Sequence, residues 1–578
     1  ITVEDGSKIF GNKYGVYMEG QPKPWRYTRD GQEILTVNGG EITGETAAIA
    51  VFGAGKGNTK AGVIVNINGG KVYSDSYAIA GNGSSQLEKT TINITGGEVI
   101  STKDTAIYHP QDGTVTITGG TVSGVTGGVQ MCAGTLEVTG GTITATGNGD
   151  TSGKTGDGSI PDGAAVSIVN RNYPGGIPSA TITGGTLTSA NGVDAVNAYG
   201  WSNNAKTDWT KRKDNMNVSG GRFSSKLEKD YCAAGFEPSE KYSDGTYSVQ
   251  KIKVAEVNGT QYESLKAAID AAKDGDTVKL LADVIQNTML TIDKNITLDL
   301  NGKKIYNTED IWSDSKQTYE LISVEAEVTI TGNGSIEAKE NDCYTINVKN
   351  GNLTIENGTF VGNISVVQVE KGTLTINGGE FKLLQKWEGT SKYLINCIDK
   401  SYADKTAVVD IRGGTFVDFD PNVAPEKKVD GKAPSFVISA GIGVTKDADG
   451  NFTAVPNMAA QIVDADGNSV AAYAGHYDAI AAAKNGETVI LLSDCKNFAT
   501  NTINANITID LNGKTLSVGN NVSEMFKANG EVTIQNGTIT SDMACAIVNA
   551  YNKLTLKNVK ITGVTGNNGK NLVNVCSN

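Results

Sequence analysis

Histidine is nearly absent, with two in 578 residues, so little imidazole is on hand for acid–base or metal chemistry. Prolines number only 11 against 71 glycines. The glycines punctuate short apolar strands, which argues for turn-rich all-β structure and against a disordered linker. Positive charge is in deficit, 50 Lys and Arg against 63 Asp and Glu, for a formal net charge of −13. That balance leaves no electrostatic footprint for nucleic acid or an anionic membrane. No apolar run approaches the ~20 residues a membrane-spanning helix needs. Seven cysteines lie far apart with no CxxC pair and no His nearby, spacing that excludes a zinc site and a disulfide framework. Their number is odd, so at least one has no partner within the chain. Cys343 and Cys545 stand in apolar positions and read as small buried hydrophobes.

What the chain has in quantity is one repeated phrase. GTLTINGGEF (372–381) recurs as ILTVNGGEIT (34–43), TINITGGEVIS (91–101), TVTITGGTVSG (114–124), TLEVTGGTITA (135–145) and VVDIRGGTFVD (408–418), among others. Leu374 and Ile376 alternate with polar neighbours, the two-residue period of a half-buried strand. Gly378-Gly379 breaks that strand and Phe381 starts the next. From Gly39 on, the double glycines are spaced by 30, 27, 23 and 21 residues, about one coil of a parallel β-helix each. Two further intervals of 44 and 36 residues imply insertions or an extra coil without the signature. Strands this short cannot bury an apolar face alone, whereas stacking coil on coil both buries it and pairs the backbone. An antiparallel sandwich would show hairpin dipeptides at close spacing and no fixed repeat. The residue before each double glycine is polar (Asn38, Asn68, Thr95, Thr118, Thr139, Thr183, Ser219, Asn377, Arg412). Stacked coils are expected to turn these positions into a hydrogen-bonded ladder.

The repeat is interrupted in a regular way. YCAAGFEPSEKYSDGTYSV (231–249) and FVISAGIGVTKDADGNFTAV (436–455) read as end pieces over a last coil, each turning at Asp-Gly. Each is followed by a different segment: residues 262–281 align without a gap on 473–492 at an offset of 211, as do ITLDLNGK (296–303) and ITIDLNGK (507–514). Leu265, Ile269 and Ala272 form one stripe of an amphipathic helix, with Lys273 and Gly275 as stop signals. Such helices, expected over 262–273 and 473–484, would cover the open end of a stack and block strand addition. The expected modules are therefore 1–253, 254–456 and 457–578. Ile1 is no initiator and ITVEDGSKIFG resembles ITLDLNGKKIYN, so module one is expected to lack its helix and module three to be cut short.

The helix, DGDTVKLLADV, ITLDLNGK and the double-glycine coils together resemble the pectin-lyase-like right-handed parallel β-helix modules of large secreted or surface proteins of gut anaerobic bacteria. The resemblance implies an all-β fold of tandem right-handed solenoid modules with short α-helical N-terminal caps, at a cell surface or outside the cell. It implies no activity, because that fold hosts lyases, hydrolases, tailspikes and adhesins alike.

Function must then come from a site. The paired Asp, Gly-His-Gly and Arg-x-Lys of polygalacturonase-like enzymes, and the calcium-binding Asp cluster of pectate lyases, have no counterpart here. His476 falls on the buried stripe of a capping helix; His109, in AIYHPQDG, is the one imidazole at a corner. Asp299 and Asp510 each precede an Asn-Gly turn and lie a module apart, too far for a carboxylate pair that must stand within roughly 5–10 Å. Two insertions in module one are the most site-like stretches. GNGDTSGKTGDGSIPDG (147–163) gathers Asp150, Asp157 and Asp162, a candidate calcium set without EF-hand alternation or a closing Glu. AYGWSNNAKTDWTKRKD (198–214) brings Tyr199, Trp201, Trp209 and Arg212, with Arg171 and Tyr173 upstream. Exposed aromatic faces beside forked polar groups suit sugars; the alternative is that these rings pack the insertion onto the solenoid wall. Trp25, Trp312 and Trp387 also sit in interruptions of the repeat.

The expectation is thus a non-enzymatic surface scaffold contacting glycans or host or bacterial surface molecules. A polysaccharide lyase or glycoside hydrolase acting on pectin- or mucin-type glycans is the alternative, and a structural spacer or filament subunit associating laterally is a third.

Overall fold

The structure is a computed structural model that describes residues 1–18, 33–51, 63–83, 90–152, 158–339, 344–384, 393–424, 434–519, 522–564 and 571–576. Trp25, Asp157, Cys343 and Trp387 lie outside the described residues. The chain divides into two compact units, Ile1–Ile252 and Lys253–Asn578.

The first unit is a parallel β-helix. Seven coils each give one strand to each of three eight-stranded sheets; an eighth coil completes the first two, and the hairpin arm Ala205–Thr207, antiparallel to Val196–Ser202, completes the third. In the first sheet Val63–Ile67, Thr90–Ile94 and Gly113–Ile117 lie parallel, with Val65, Ile92 and Val115 in register and Ile67, Ile94 and Ile117 beside them. All six are buried, while Asn66, Asn93 and Thr116 between them face out. The two-residue alternation therefore becomes one continuous core running through the coils.

The double glycine is required twice over, as Gly96-Gly97 illustrates. A Cβ on Gly96 would lie 2.4 Å from the Asn68 carbonyl oxygen of the coil below. Gly97 has φ +70°, a conformation other L-residues reach only at a cost. The polar ladder forms at this corner: Asn38 donates to Glu4 at 2.9 Å, Asn68 to Asn38 at 2.9 Å and Thr95 to Asn68 at 3.0 Å. The expected end piece closes the unit with Phe236–Pro238 paired antiparallel to Val249–Lys251.

The second unit holds two further apolar cores, one over module two and one over module three. Module two repeats the three-sheet plan, and Leu374, Ile376 and Phe381 of the repeated phrase are all fully buried. Phe360, Phe381 and Phe416 of successive coils stack at 5.0 and 5.1 Å between ring centroids. Its end piece is a hairpin, Gly443–Lys446 with Phe452–Val455, laid antiparallel on Gly414–Phe416. Module three is joined to it by polar contacts: Gln461 accepts from Val444 N and donates to Val444 O at 2.7 Å, and Asp420 accepts from Ser469 N at 2.7 Å.

Both capping helices are present but shorter than the stripe suggests, at Leu265–Ala271 and His476–Ala482. Of the expected spans 262–273 and 473–484, the first residues, Tyr262 and Tyr473, end the antiparallel strands Thr260–Tyr262 and Ser469–Tyr473. Leu265, Ile269 and Ala272 are buried as expected. Ser264 caps the N-terminus by accepting from Ala267 N at 3.1 Å. The cation at the other end is Lys294 in place of Lys273: its Nζ donates to the Ile269 and Ala272 carbonyls at 3.2 and 2.9 Å. Among the described residues no helix is long and apolar enough to cross a membrane.

Candidate functional site

The third sheet is where both modules depart from the plain repeat, because the longest insertions enter or leave its strands. Its inner face feeds the core; its outer face carries side chains that a bare solenoid has no need of.

In module one the strands Thr105–His109, Val166–Asn170 and Val196–Ser202 present Tyr108, Val169, Tyr199 and Trp201, and Cys132 just past the strand Gly127–Met131 joins them, against the insertion that returns through Ile160. All six side chains are buried. Gln130 stitches the insertion down, donating to Ile160 O and accepting from Ile160 N, both at 2.7 Å. Arg171 Nη1 donates to Gly158 O at 2.8 Å and Tyr108 Oη at 3.3 Å, and its guanidinium lies over the Tyr173 ring at 5.1 Å. Tyr199 donates to Asp162 at 2.9 Å and Ser167 to the same carboxylate at 2.7 Å. Burial raises the Asp162 pKa against these hydrogen bonds, and burial pushes the Cys132 thiol up to about 12.

Of the residues expected to contact a ligand, Arg171, Tyr173, Tyr199 and Trp201 thus do meet, but as a seal. Trp201 is only 5% exposed and Trp209, also buried, belongs to the module's own core. Arg212 is spent on Glu228 at 2.6 Å and on the Tyr231 ring at 5.7 Å. The expectation of exposed ring faces at Trp201 and Trp209 is therefore corrected: the insertion folds back on the wall, because burying two indoles outweighs leaving them in water. Of the calcium set, Asp157 lies outside the described residues. Asp150 is exposed and accepts from Ser152 N at 2.8 Å, Asp162 gives both oxygens to Ser167 and Tyr199, and no group of three or more His, Cys, Asp or Glu able to hold a metal occurs among the described residues.

Neither histidine stands in a groove. His109 is buried, its Nδ1 lies 3.3 Å from Ala133 O, and burial pushes its pKa down to about 4. His476 opens its capping helix with Nε2 2.9 Å from Asn497 Oδ1. Asp299 and Asp510 accept from Asn301 N and Asn512 N at 2.9 and 2.8 Å, holding turns whose asparagines have φ +45° and +48°.

Module two offers an open face. Trp312, in the insertion before the strand Glu320–Val324, packs on Tyr319 at 4.7 Å and Tyr344 at 6.3 Å yet stays 40% exposed. Beside it lies a hollow of about 650 Å³ lined by Tyr344, Ser365, Tyr393, Asn396 and Asp399, with Ile364 and Ile398 at its apolar edge. Ser323, Asn347, Gln368 and Asn396 fall in register on four successive strands, forming one polar row in which the first three side chains are buried and only Asn396 is partly exposed. Asn347 donates to Glu370 at 2.7 Å and Asn396 to Gln368 at 3.2 Å. Lys349 lies across the face to pair with the fully buried Glu320 at 2.7 Å. Burial opposes the ammonium, but the bond to Glu320 and the fields of Glu320, Glu370 and Glu325 raise the Lys349 pKa overall.

Trp312 alone of this group stands out in the sequence as an interruption. The polar row is written there too, as the S, N, Q and N of LISV, TINV, VVQV and LINC, but it becomes a row only once the coils are set in register. Fold and site together define a parallel β-helix protein carrying an aromatic platform on the outer face of one module. In comparisons with known proteins, no family model, no curated protein and no solved structure matches the chain.

Proposed function

We propose that this chain is a glycan-contacting β-helix scaffold of a secreted or surface-anchored bacterial protein, without catalysis of its own, and that module two makes the contact. The observation that carries the reading is the exposed Trp312 ring, held by Tyr319 and Tyr344, next to an open hollow lined with hydroxyl, amide and carboxylate groups. A pyranose has an apolar face that covers an indole and a rim of hydroxyls that exchange hydrogen bonds with accessible lining groups such as Asn396 and Asp399. The packing that holds Trp312 keeps the ordering cost of binding small. The test is a glycan array probed with the whole chain, with Trp312→Ala, and with Phe498→Ala, an exposed ring in module three. Binding that is lost in the first variant and kept in the second is expected. An array without signal, or signal indifferent to Trp312, removes the reading.

A further inference from the structure

We infer that the module-two hollow clamps one sugar ring between two tyrosines, and that it thereby selects rings whose hydroxyls are all equatorial, the gluco configuration, over galacto and manno epimers. The inference rests on reading this face as a glycan site; it adds the configuration of the sugar.

The first feature is a break in a column of rings. Ile346, Val367 and Ile395 are in register on successive strands. Two residues before them stand Tyr344, Ser365 and Tyr393, and all three line the hollow. Successive strands lie about 4.8 Å apart, which sets the two tyrosine positions roughly 9.5 Å from one another. Phe360, Phe381 and Phe416 of the same module show an unbroken column: one ring per coil, stacked at 5.0 and 5.1 Å and within 12° of parallel. In the tyrosine column the middle member is a serine, too short to occupy the space between the two rings. Carbon contact on both faces of an inserted ring takes up roughly 7–8 Å. The remainder suits the pucker of a saturated ring and leaves no space for a second one.

The second feature is that both walls can be reached and one is braced. Tyr393 is 39% exposed and Tyr344 is half-buried. On the side of the preceding coil Tyr344 packs on Trp312 at 6.3 Å, and Trp312 packs on Tyr319 at 4.7 Å, so this wall does not swing aside. Asn396, partly exposed, lines the same hollow.

A ring held on both faces must be apolar on both. In glucose, its 2-acetamido derivative and xylose both faces present C–H groups, and the hydroxyls leave along the rim towards Asn396 and water. The axial hydroxyl of galactose at C4, or of mannose at C2, points from one face into a tyrosine ring, which replaces its hydrogen bonds to water with at most a weak contact. A platform with a single aromatic wall tolerates that hydroxyl on its open side. A slot with two walls does not.

The experiment titrates the whole chain with oligosaccharides of each linkage that gives array signal, comparing a glucose ring with its galactose and mannose epimers at the same place in an otherwise identical chain. The glucose member is expected to bind roughly tenfold tighter or more than either epimer. Tyr393→Ala opens one wall and is expected to weaken glucose binding and bring the ratio close to one. Tyr393→Phe keeps the ring and is expected to keep the ratio. Because Tyr393 lies at the surface, both variants are expected to melt with the unaltered chain. An epimer bound as tightly as glucose, or a ratio unmoved by Tyr393→Ala, overturns the inference while leaving the glycan reading in place. Binding by no member of any series, together with an array without signal, overturns the reading beneath it.

Discussion

Single residues decide this molecule at its corners and in its buried polar positions. Gly97 must both reach φ +70° and lie against Gly69 O, which a Cβ would approach to 2.6 Å. Gly97→Ala is expected to destabilise the first unit by about 2 kcal/mol or more, from backbone strain and overlap together, read as a lower melting temperature. His109 makes a pH prediction. Its folded pKa of about 4 lies below the unfolded value near 6.5, so the unfolded chain takes up a proton that the folded chain refuses. Stability from this group is complete above about pH 7 and falls as pH drops through the window from roughly 6.5 to 4, by on the order of 3 kcal/mol in all. Urea denaturation against pH checks this, with a flatter acid limb in His109→Gln. At this scale the sequence is least readable where a ring sits in an insertion. The letters around Trp201 and Trp312 have the same character, yet one indole is buried under Ile160 and the other is open. The difference lies in whether the loop returns to the wall, and no local pattern encodes that.

Elements were the most legible scale. Alternation at Leu374 and Ile376, double-glycine corners and the helical stripe at Leu265, Ile269 and Ala272 each follow from local stereochemistry, and each is where the periodicity puts it. Helix ends were less so. The strand Thr260–Tyr262 takes Tyr262, the first residue of the expected helix 262–273, because a tertiary partner, Ala255–Val257, pairs with it. Lys294, which closes the helix C-terminus, lies 25 residues beyond the Ile269 carbonyl it binds and so falls outside any helix-stop rule. Lys294→Met is expected to cost module two about 1 kcal/mol and to raise amide exchange in the last turn of the helix. Ser264→Ala should cost a similar amount, about 1 kcal/mol, at the other end.

At the scale of the whole chain, the three cores are built on one plan, and what sets the modules apart is the outer face of the third sheet. In module one that face is closed by Ile160, Arg171 and Tyr173 over Tyr108, Tyr199 and Trp201. In module two it is open around Trp312 and the hollow below Tyr344 and Tyr393. Solenoids commonly place binding on such a face, since the coils hold a row of side chains in fixed register. The measurement that bears most directly on this is calorimetric titration of the intact chain with an oligosaccharide selected by the array, beside Trp312→Ala. The glycan-platform reading predicts saturable binding weakened by roughly tenfold or more, about 1.4 kcal/mol, in the variant, with an unchanged melting temperature. Equal affinity in the two proteins would contradict it.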